Sequence, residues 1–389
     1  VIRRRWLDND FYGVVASTQY DLPDQWSLTV GGGYNEYDGD HFGEVIWARF
    51  AGDSEIEDRY YDNNGFKTDF NIYSKLNYYL SPELNLFADV QYRAVTYRFL
   101  GLRVDGATDD VVDVTQRDRI NFVNPKLGVV YRFAEGQRAF ASLSVGGKEP
   151  TRSDYVDSSP ESRPTEERML DYELGYQGEF SRFTLGANLY YMQYRDQLIL
   201  TGAVNDVGGY VRENVPDSYR AGIELQAGVQ LTPNLRWNGN ATFSQNKIDQ
   251  FERFLDDFDQ GGQQVQVYED VDIAFSPSVI SNSIFSYRWR GLNTEWVSKY
   301  VGQQFLDNTQ TDSRSIDPYW INDLRFSYSM SNLQFLGNLT ASVQINNLFD
   351  EKYVSNGYTF GYILGGEQNF NYYYPQAGRN VLANLKVRF

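Results

Sequence analysis

The chain has 389 residues, no cysteine and one histidine, and its 35 basic against 52 acidic side chains leave a net charge of −17. A disulfide framework, a zinc or iron–sulfur centre, a cysteine protease and a Ser–His–Asp enzyme all lack the residues they need. The acidity argues against nucleic acid, which requires a basic face, and 31 tyrosines, 25 phenylalanines and 7 tryptophans argue against disorder.

No run of ~18 apolar residues offers a helical membrane span, and mean hydropathy is −0.53. The opening Val1-Ile2-Arg3-Arg4-Arg5-Trp6 has no apolar stretch after its charges, so no secretory signal is expected in these residues. A membrane β-barrel remains compatible with both facts. Its strands place a polar residue at every second position, and its tyrosines form girdles at the bilayer interfaces.

Period-two alternation dominates from the first strand, expected near Phe11 to Tyr20, to the last. Between Phe66 and Leu80, the residues Phe70, Ile72, Leu76 and Tyr78 share one face, while Asp69, Asn71, Lys75 and Asn77 share the other. Leu84, Leu86, Ala88, Val90 and Tyr92 repeat the pattern, as do Leu170, Tyr172, Leu174 and Tyr176. So do Ile223 to Leu231, Leu235 to Phe243 and Leu324 to Met330. Each segment therefore has one apolar and one polar face, and no long helix is predicted.

The connections alternate in length. Short turns are expected at Leu22-Pro23-Asp24, Ser81-Pro82-Glu83, Glu135-Gly136-Gln137, Ser181-Arg182, Thr232-Pro233-Asn234, Arg290-Gly291 and Ser331-Asn332. Long loops are expected near Glu36–Gly65, Gly101–Ile120, Lys148–Glu167, Thr201–Pro216, Phe251–Phe275, Phe305–Pro318 and Glu351–Tyr374. This parity is that of an outer-membrane barrel with short periplasmic turns and long extracellular loops. The fold class expected is all-β, a transmembrane antiparallel β-barrel. About fifteen strands are counted, which is about 26 residues for each strand and its connection, whereas 22 would leave only about 18. An odd number puts the two ends on opposite sides. Residues 1–389 are thus expected to be the C-terminal part of a barrel of roughly 22 strands, with the plug and first strands upstream.

The last forty residues carry ordered motifs. Ala341, Val343 and Ile345 alternate outward and lead into Asn346-Asn347-Leu348-Phe349-Asp350-Glu351-Lys352-Tyr353. Gly357-Tyr358 and Tyr374-Pro375-Gln376-Ala377-Gly378-Arg379-Asn380 follow, before an amphipathic strand ending at Phe389. This order resembles the C-terminal signature of TonB-dependent outer-membrane receptors. The Pro-Gln-Ala-Gly-Arg spacing departs from the commoner Pro-Gly-Arg. With Arg4-Arg5-Trp6-Leu7-Asp8-Asn9, it looks like the Bacteroidetes branch of the family.

The resemblance implies a transporter in the outer membrane of a Gram-negative bacterium. Such a receptor takes up a scarce nutrient in a TonB-dependent way: an iron chelate such as a siderophore, haem or cobalamin, or else a glycan or peptide. It implies no enzymatic step and no cofactor. Its partners would be outer-membrane lipid and lipopolysaccharide, its own plug and N-terminal strands, TonB through a segment absent here, and optionally a surface lipoprotein lid. Phe389 would be the assembly signal. A passive diffusion porin is the alternative, and a soluble all-β binding protein the third.

Cargo contact is expected from loop aromatics, because tyrosine combines rigid area with a hydroxyl. The candidates are Tyr60, Tyr61, Tyr155, Tyr358, Phe360, Tyr362, Tyr372 and Tyr373. Asn347, Phe349 and Tyr353 are expected to close the strand-to-loop transition. Asp105, Asp109, Asp110 and Asp113 could supply oxygens to calcium, but they lack EF-hand spacing, and a solvated outer surface is the expected reading, with no metal site assigned. Asp256, Asp257 and Asp259 form a second acidic loop. His41, expected in the first long loop, reads as solvated rather than as a ligand. Arg152 and Arg163 are expected to pair with Asp154 and Glu161.

Overall fold

The computed structural model describes every residue except 23–24, 51, 53–54, 105–110, 157–162, 205–209, 334–336 and 389. Four long strands come first: β1 (Ile2–Leu22), β2 (Trp26–Trp47), β3 (Arg59–Tyr79) and β4 (Leu84–Val104). The short β5 (Val111–Asp113) precedes β6 (Gln116–Ala134) and β7 (Gln137–Lys148). Helix α1 (Arg152–Val156) is followed by β8 (Glu167–Glu179), β9 (Phe183–Val204), β10 (Tyr210–Thr232) and β11 (Leu235–Asp257). Then come β12 (Gln263–Asp272), β13 (Val279–Trp289), β14 (Leu292–Val301), β15 (Gln304–Phe305) and β16 (Ser315–Ile316). The chain ends with β17 (Tyr319–Leu333), β18 (Gly337–Asn346), β19 (Val354–Ile363), β20 (Glu367–Pro375) and β21 (Asn380–Arg388).

Of these 21 strands, β5, β12, β15, β16, β19 and β20 belong to the long connections. The other fifteen form the wall, each antiparallel to its predecessor, from β1 at one edge to β21 at the other. Strand number and the alternation of short and long connections both follow the sequence. Among the described residues no pairing joins β1 to β21, so the wall is an open sheet. The β13–β14 turn shows the local logic. Arg290 and Gly291 both take positive φ, 45° and 87°, which is the tight reversal that matches strand twist.

The expected loops are too long. His41 lies within β2, and much of the expected Glu36–Gly65 loop is strand. The expected loops at Gly101–Ile120, Thr201–Pro216 and Phe251–Phe275 also contain strand extensions or added hairpin strands. The physical reason is that these stretches rise above the bilayer. The outward face then meets water instead of lipid, so the regular alternation of apolar and polar residues breaks down and the sequence looks like loop, although some inward side chains such as Ile120, Val215 and Phe251 are buried in the caps.

Two aromatic rows mark the bilayer. At the short-turn end Trp26 stacks on Tyr78 at 4.1 Å, and Phe180 on Phe183 at 4.3 Å. Higher on the same outward face, Tyr34 sits opposite Phe70, Phe70 lies 6.5 Å from Tyr92, and Tyr191 bridges Tyr172 and Tyr219 at 6.3 and 5.9 Å. Between the rows the exposed side chains are apolar: Ile72, Val90, Leu127, Leu174 and Leu189. These are the lipid-facing side chains of a membrane barrel, an outward apolar band flanked by aromatic girdles. The opposite face carries Asp69, Lys75, Asp171, Glu224 and Lys299, which line the lumen.

Candidate functional site

Above the upper aromatic row the long connections build two caps. In the first, the inward faces of β4 and β6 continue upward as Val95, Tyr97, Phe99, Ile120 and Phe122, and α1 drops Tyr155 and Val156 onto them. Tyr155 packs 5.5 Å from both Tyr97 and Phe99, and its hydroxyl donates to Asp118. Below this apolar centre runs a chain of charges. Arg93 holds Asp69 at 2.9 Å and Glu149 at 2.8 Å, and Lys67 reaches Glu149 at 2.9 Å. Burial works against the Glu149 carboxylate, but hydrogen bonds from Arg93 and Lys67 outweigh it and hold its pKa below the ordinary value.

Beside that chain lies a cavity of about 410 Å³, lined by Tyr37, His41, Lys67, Tyr97, Glu149 and Arg152 among others. This is large enough for part of a ligand. His41 Nε2 is buried there without a hydrogen-bond partner among the described residues. His41 stands seven residues above Tyr34, outside the membrane band. Burial, and the neighbouring Arg152 charge, push its pKa down to about 4, so the ring is neutral at physiological pH.

The second cap surrounds the β19–β20 hairpin. One face of the hairpin is an aromatic ladder. Tyr358 stacks on Tyr372 at 4.9 Å, Phe360 on Phe370 at 5.3 Å and Tyr362 on Phe370 at 5.7 Å. The other face turns to the 302–318 connection, where Tyr373 donates to the Ser315 carbonyl at 3.2 Å. Glu367 ties the hairpin down, 2.8 Å from Arg253 and 3.3 Å from Arg314. Asp259 accepts from the backbone N–H groups of Gly365 and Gly366.

The predicted aromatics thus fall in two groups. Tyr60 and Tyr61 meet edge to face at 5.1 Å at the top of β3, near the first cap, and Tyr155 is buried inside that cap. Tyr358, Phe360, Tyr362 and Tyr372 share the ladder, and Tyr373 faces away from it. Phe370 was not among the candidates, although its place opposite Phe360 follows from hairpin pairing. The Glu149 chain was also missed, because its partners are 56 and 82 residues apart and leave no local signal.

Other expectations need correction or relocation. Asp154 pairs with Arg212 at 3.1 Å, while Arg152 donates to Asn63. Asp113 accepts from the Thr115 N–H at 2.9 Å, and Asp257 caps its own turn through the Asp259 and Gln260 N–H groups. Asp105, Asp109, Asp110, Glu161 and Phe389 lie outside the described residues. Among the described residues no group of three or more His, Cys, Asp or Glu could hold a metal. Asn347 closes its loop as expected. At φ 49° it accepts from the Glu351 N–H and donates to the carbonyls of Glu351 and Ala377. Asp350 accepts from the Arg379 N–H at 2.8 Å, which joins the Asn-Leu-Phe-Asp and Gly-Arg motifs in space.

A family model described as "TonB dependent receptor-like, beta-barrel" matches residues 2–348. The chain belongs to the TonB-dependent receptor family. This receptor barrel accordingly has its place in the outer membrane of a Gram-negative bacterium. It is 25% identical over 294 residues to the ferripyoverdine receptor of Pseudomonas aeruginosa, covering 73% of this chain and 32% of that receptor. It is 23% identical over 295 residues to the metal-pseudopaline receptor CntO of the same species, covering 73% of this chain and 39% of CntO. The fold matches the ferric-catecholate import receptor Fiu of E. coli K12 with a TM-score of 0.71 at 16% identity, over 98% of this chain and 55% of Fiu. The chain spans about a third of the length of these curated relatives and about half of the solved structure.

Proposed function

We propose that the whole protein is an active importer of a scarce metal chelate, with an iron chelate as the leading cargo. The observation that carries this reading is the outer mouth of the receptor barrel. There two separate aromatic groups, Tyr60–Tyr61 and the Tyr358–Tyr372 ladder, accompany a cavity lined by Lys67, Arg152 and the neutral His41. Rings supply area at low entropic cost, and cations suit the anionic oxygens of a chelate. The names of the relatives, receptors for ferripyoverdine and metal-pseudopaline, support the cargo class. Tyr155 would support the site through Tyr97 and Phe99, on which it packs, its hydroxyl already held by Asp118.

In the same reading a plug domain and about seven strands precede Val1 and close the wall between β1 and β21, giving roughly 22 strands. TonB would act through an upstream segment, and a surface lipoprotein would be an additional partner. A Bacteroidetes-like origin rests on two short motifs, while the relatives named above come from Pseudomonas. Import of the labelled ferric chelate by the full-length receptor, abolished without TonB, is the expected result. Replacing Tyr358 and Tyr372 together by Ala should weaken chelate binding by about tenfold, which is about 1.4 kcal/mol. A large steady conductance from the intact protein would instead favour a diffusion porin.

A further inference from the structure

Three long connections meet at one carboxylate. Glu367 opens β20, directly after Gly365 and Gly366, which turn the hairpin with φ angles of 64° and 106° in open surroundings. Its Oε1 accepts from Arg253 Nη1 at 2.8 Å, from Arg314 Nη2 at 3.3 Å and from Asn369 Nδ2 at 2.9 Å. Its Oε2 accepts from Gln266 Nε2 at 3.0 Å. Arg253 and Gln266 come from β11 and β12, Arg314 from the 302–318 connection, and Asn369 from β20 itself. Two guanidinium groups and two amides thus converge on a single carboxylate.

The cradle is built more deeply than its occupant. The side chains of Arg253 and Arg314 are 10% and 6% exposed, whereas that of Glu367 is 33% exposed. Arg253 lies against β19 only because Gly361 has no side chain: a Cβ there would stand 2.5 Å from Arg253 Nη2 and 2.6 Å from Asn369 Oδ1. Both cations have holders besides Glu367. Arg253 Nη2 donates to Asn369 Oδ1 at 2.7 Å, and Arg314 Nη1 donates to Asp307 at 2.8 Å. Arg314 Nε is buried with no hydrogen-bond partner among the described residues, so this group has a donor in reserve. Asp307 balances one of the two charges. The other needs an anion, because an unpaired buried cation is costly. Paired guanidinium forks select a planar carboxylate for that place. The side chain now filling it can rotate into water from its exposed side.

We propose that this cradle is a carboxylate subsite for cargo, and that Glu367 is its resident occupant, displaced when a carboxylate of the chelate takes its place. The inference rests on the import reading for the presence of a chelate, and it narrows the cargo to chelates that carry a free carboxylate. The exchange swaps one ion-pair partner for another and makes or breaks no covalent bond. Each arginine keeps an anion throughout, and the released Glu367 gains water, so the swap is close to balanced. It has a mechanical consequence. Glu367 carries the ion pairs that join β20 to β11 and to the 302–318 connection. A cargo carboxylate in the cradle keeps Arg253 and Arg314 joined through the cargo and frees the side of the β19–β20 hairpin. Glu367 and Tyr373 alternate along β20 with Phe370 and Tyr372, so the cradle lies on the face opposite the aromatic ladder.

The test is chemical rescue in the purified full-length receptor. Glu367→Ala should lower hydrogen-exchange protection of residues 358–374 by about twofold. Added formate should restore it, whereas formamide at the same concentration and chloride at the same ionic strength should not. Formate should not raise protection in the unmodified receptor, whose cradle is full. Binding then separates a displaceable occupant from a purely structural latch. Ferric citrate, a carboxylate-rich probe, should bind Glu367→Ala about threefold more tightly than the unmodified receptor, and Arg253→Gln more weakly. A ferric hydroxamate without a carboxylate should bind Glu367→Ala and the unmodified receptor alike. No rescue by formate, equal rescue by chloride or formamide, or no gain in ferric citrate affinity in Glu367→Ala would each overturn the proposal. Heat-modifiable gel mobility checks folding, and Glu367→Ser serves the same test if the Ala variant does not fold. Formate rescue without chelate uptake by the unmodified receptor defeats the transport reading, whereas uptake without formate rescue defeats the cradle alone.

Discussion

The two caps over the lumen are held in different ways. The first is anchored by buried rings: Phe99 is 1% exposed and Phe122 fully buried, with α1 packed on them. The second has an apolar centre too, made of Ile199, Val215, Ile248, Phe251, Val271 and Ile273. Its β19–β20 hairpin, however, lies outside that centre and is fastened by the Glu367 ion pairs, by Asp259 at its tip and by a short parallel pairing of β19 with β11, with Glu367 itself a third exposed. Burying a ring stabilises by several times more than a solvent-accessible ion pair. The hairpin should therefore open first, and the α1 cap should stay closed under the same conditions.

The sharpest way to break that contrast is Phe99→Ala. Removing this ring should cost about 3–5 kcal/mol. Hydrogen exchange should rise across residues 114–122 and 152–156 and stay unchanged in β19–β20. A rise in both caps would mean that they are one cooperative unit. Glu149→Ala should come next, at about 1–3 kcal/mol. It leaves Lys67 without its carboxylate, and Arg93 with Asp69 alone. Protease cleavage near 150–156 should accelerate while the hairpin keeps its resistance.

Much of this architecture was legible because the bilayer imposes it. Short turns such as Arg290-Gly291, alternating with long connections, fixed the parity, and Leu170-Asp171-Tyr172-Glu173-Leu174 fixed the faces. Asp38-Gly39-Asp40 and Asp62-Asn63-Asn64 read as loop, yet they are strand paired across β2 and β3. Outside lipid no apolar face is required, so the pattern that reveals a strand is gone. The site was only half legible for a related reason. Aromatic residues could be picked out in the connections, but not which face they take. Tyr372 and Tyr373 are neighbours in sequence and lie on opposite faces of the hairpin.

A smaller effect separates the caps by pH. Glu213 stands six residues above Tyr219, outside the bilayer, and burial, helped by Glu252, raises its pKa to about 7. The folded state thus holds this proton more tightly than the unfolded chain. Its contribution is most favourable below the ordinary value of 4.5 and is lost as pH rises through about 7. Glu213→Gln should therefore stabilise the second cap by about 1 kcal/mol at pH 8, after allowance for partial exposure, and by much less at pH 5. Denaturation at the two pH values decides it, and an equal gain at both would assign the effect to packing.

The smallest expected effect is at Glu367, and it runs the opposite way. Burial opposes its charge, but hydrogen bonds from Asn369, Gln266 and Arg253 prevail and lower its pKa from 4.5 to about 2. A depressed carboxylate stabilises the fold above the unfolded value and loses that contribution as pH falls towards the folded one. The hairpin should loosen between pH 4.5 and 2, by only about 0.5 kcal/mol because Glu367 is a third exposed. Glu367→Gln should abolish this pH dependence in hydrogen exchange of residues 358–374 while leaving that of residues 152–156 alone. If the variant keeps the acid-induced loosening, the hairpin is held by its backbone contacts to Asp259 instead, and the second cap is fastened at its tip rather than along its side.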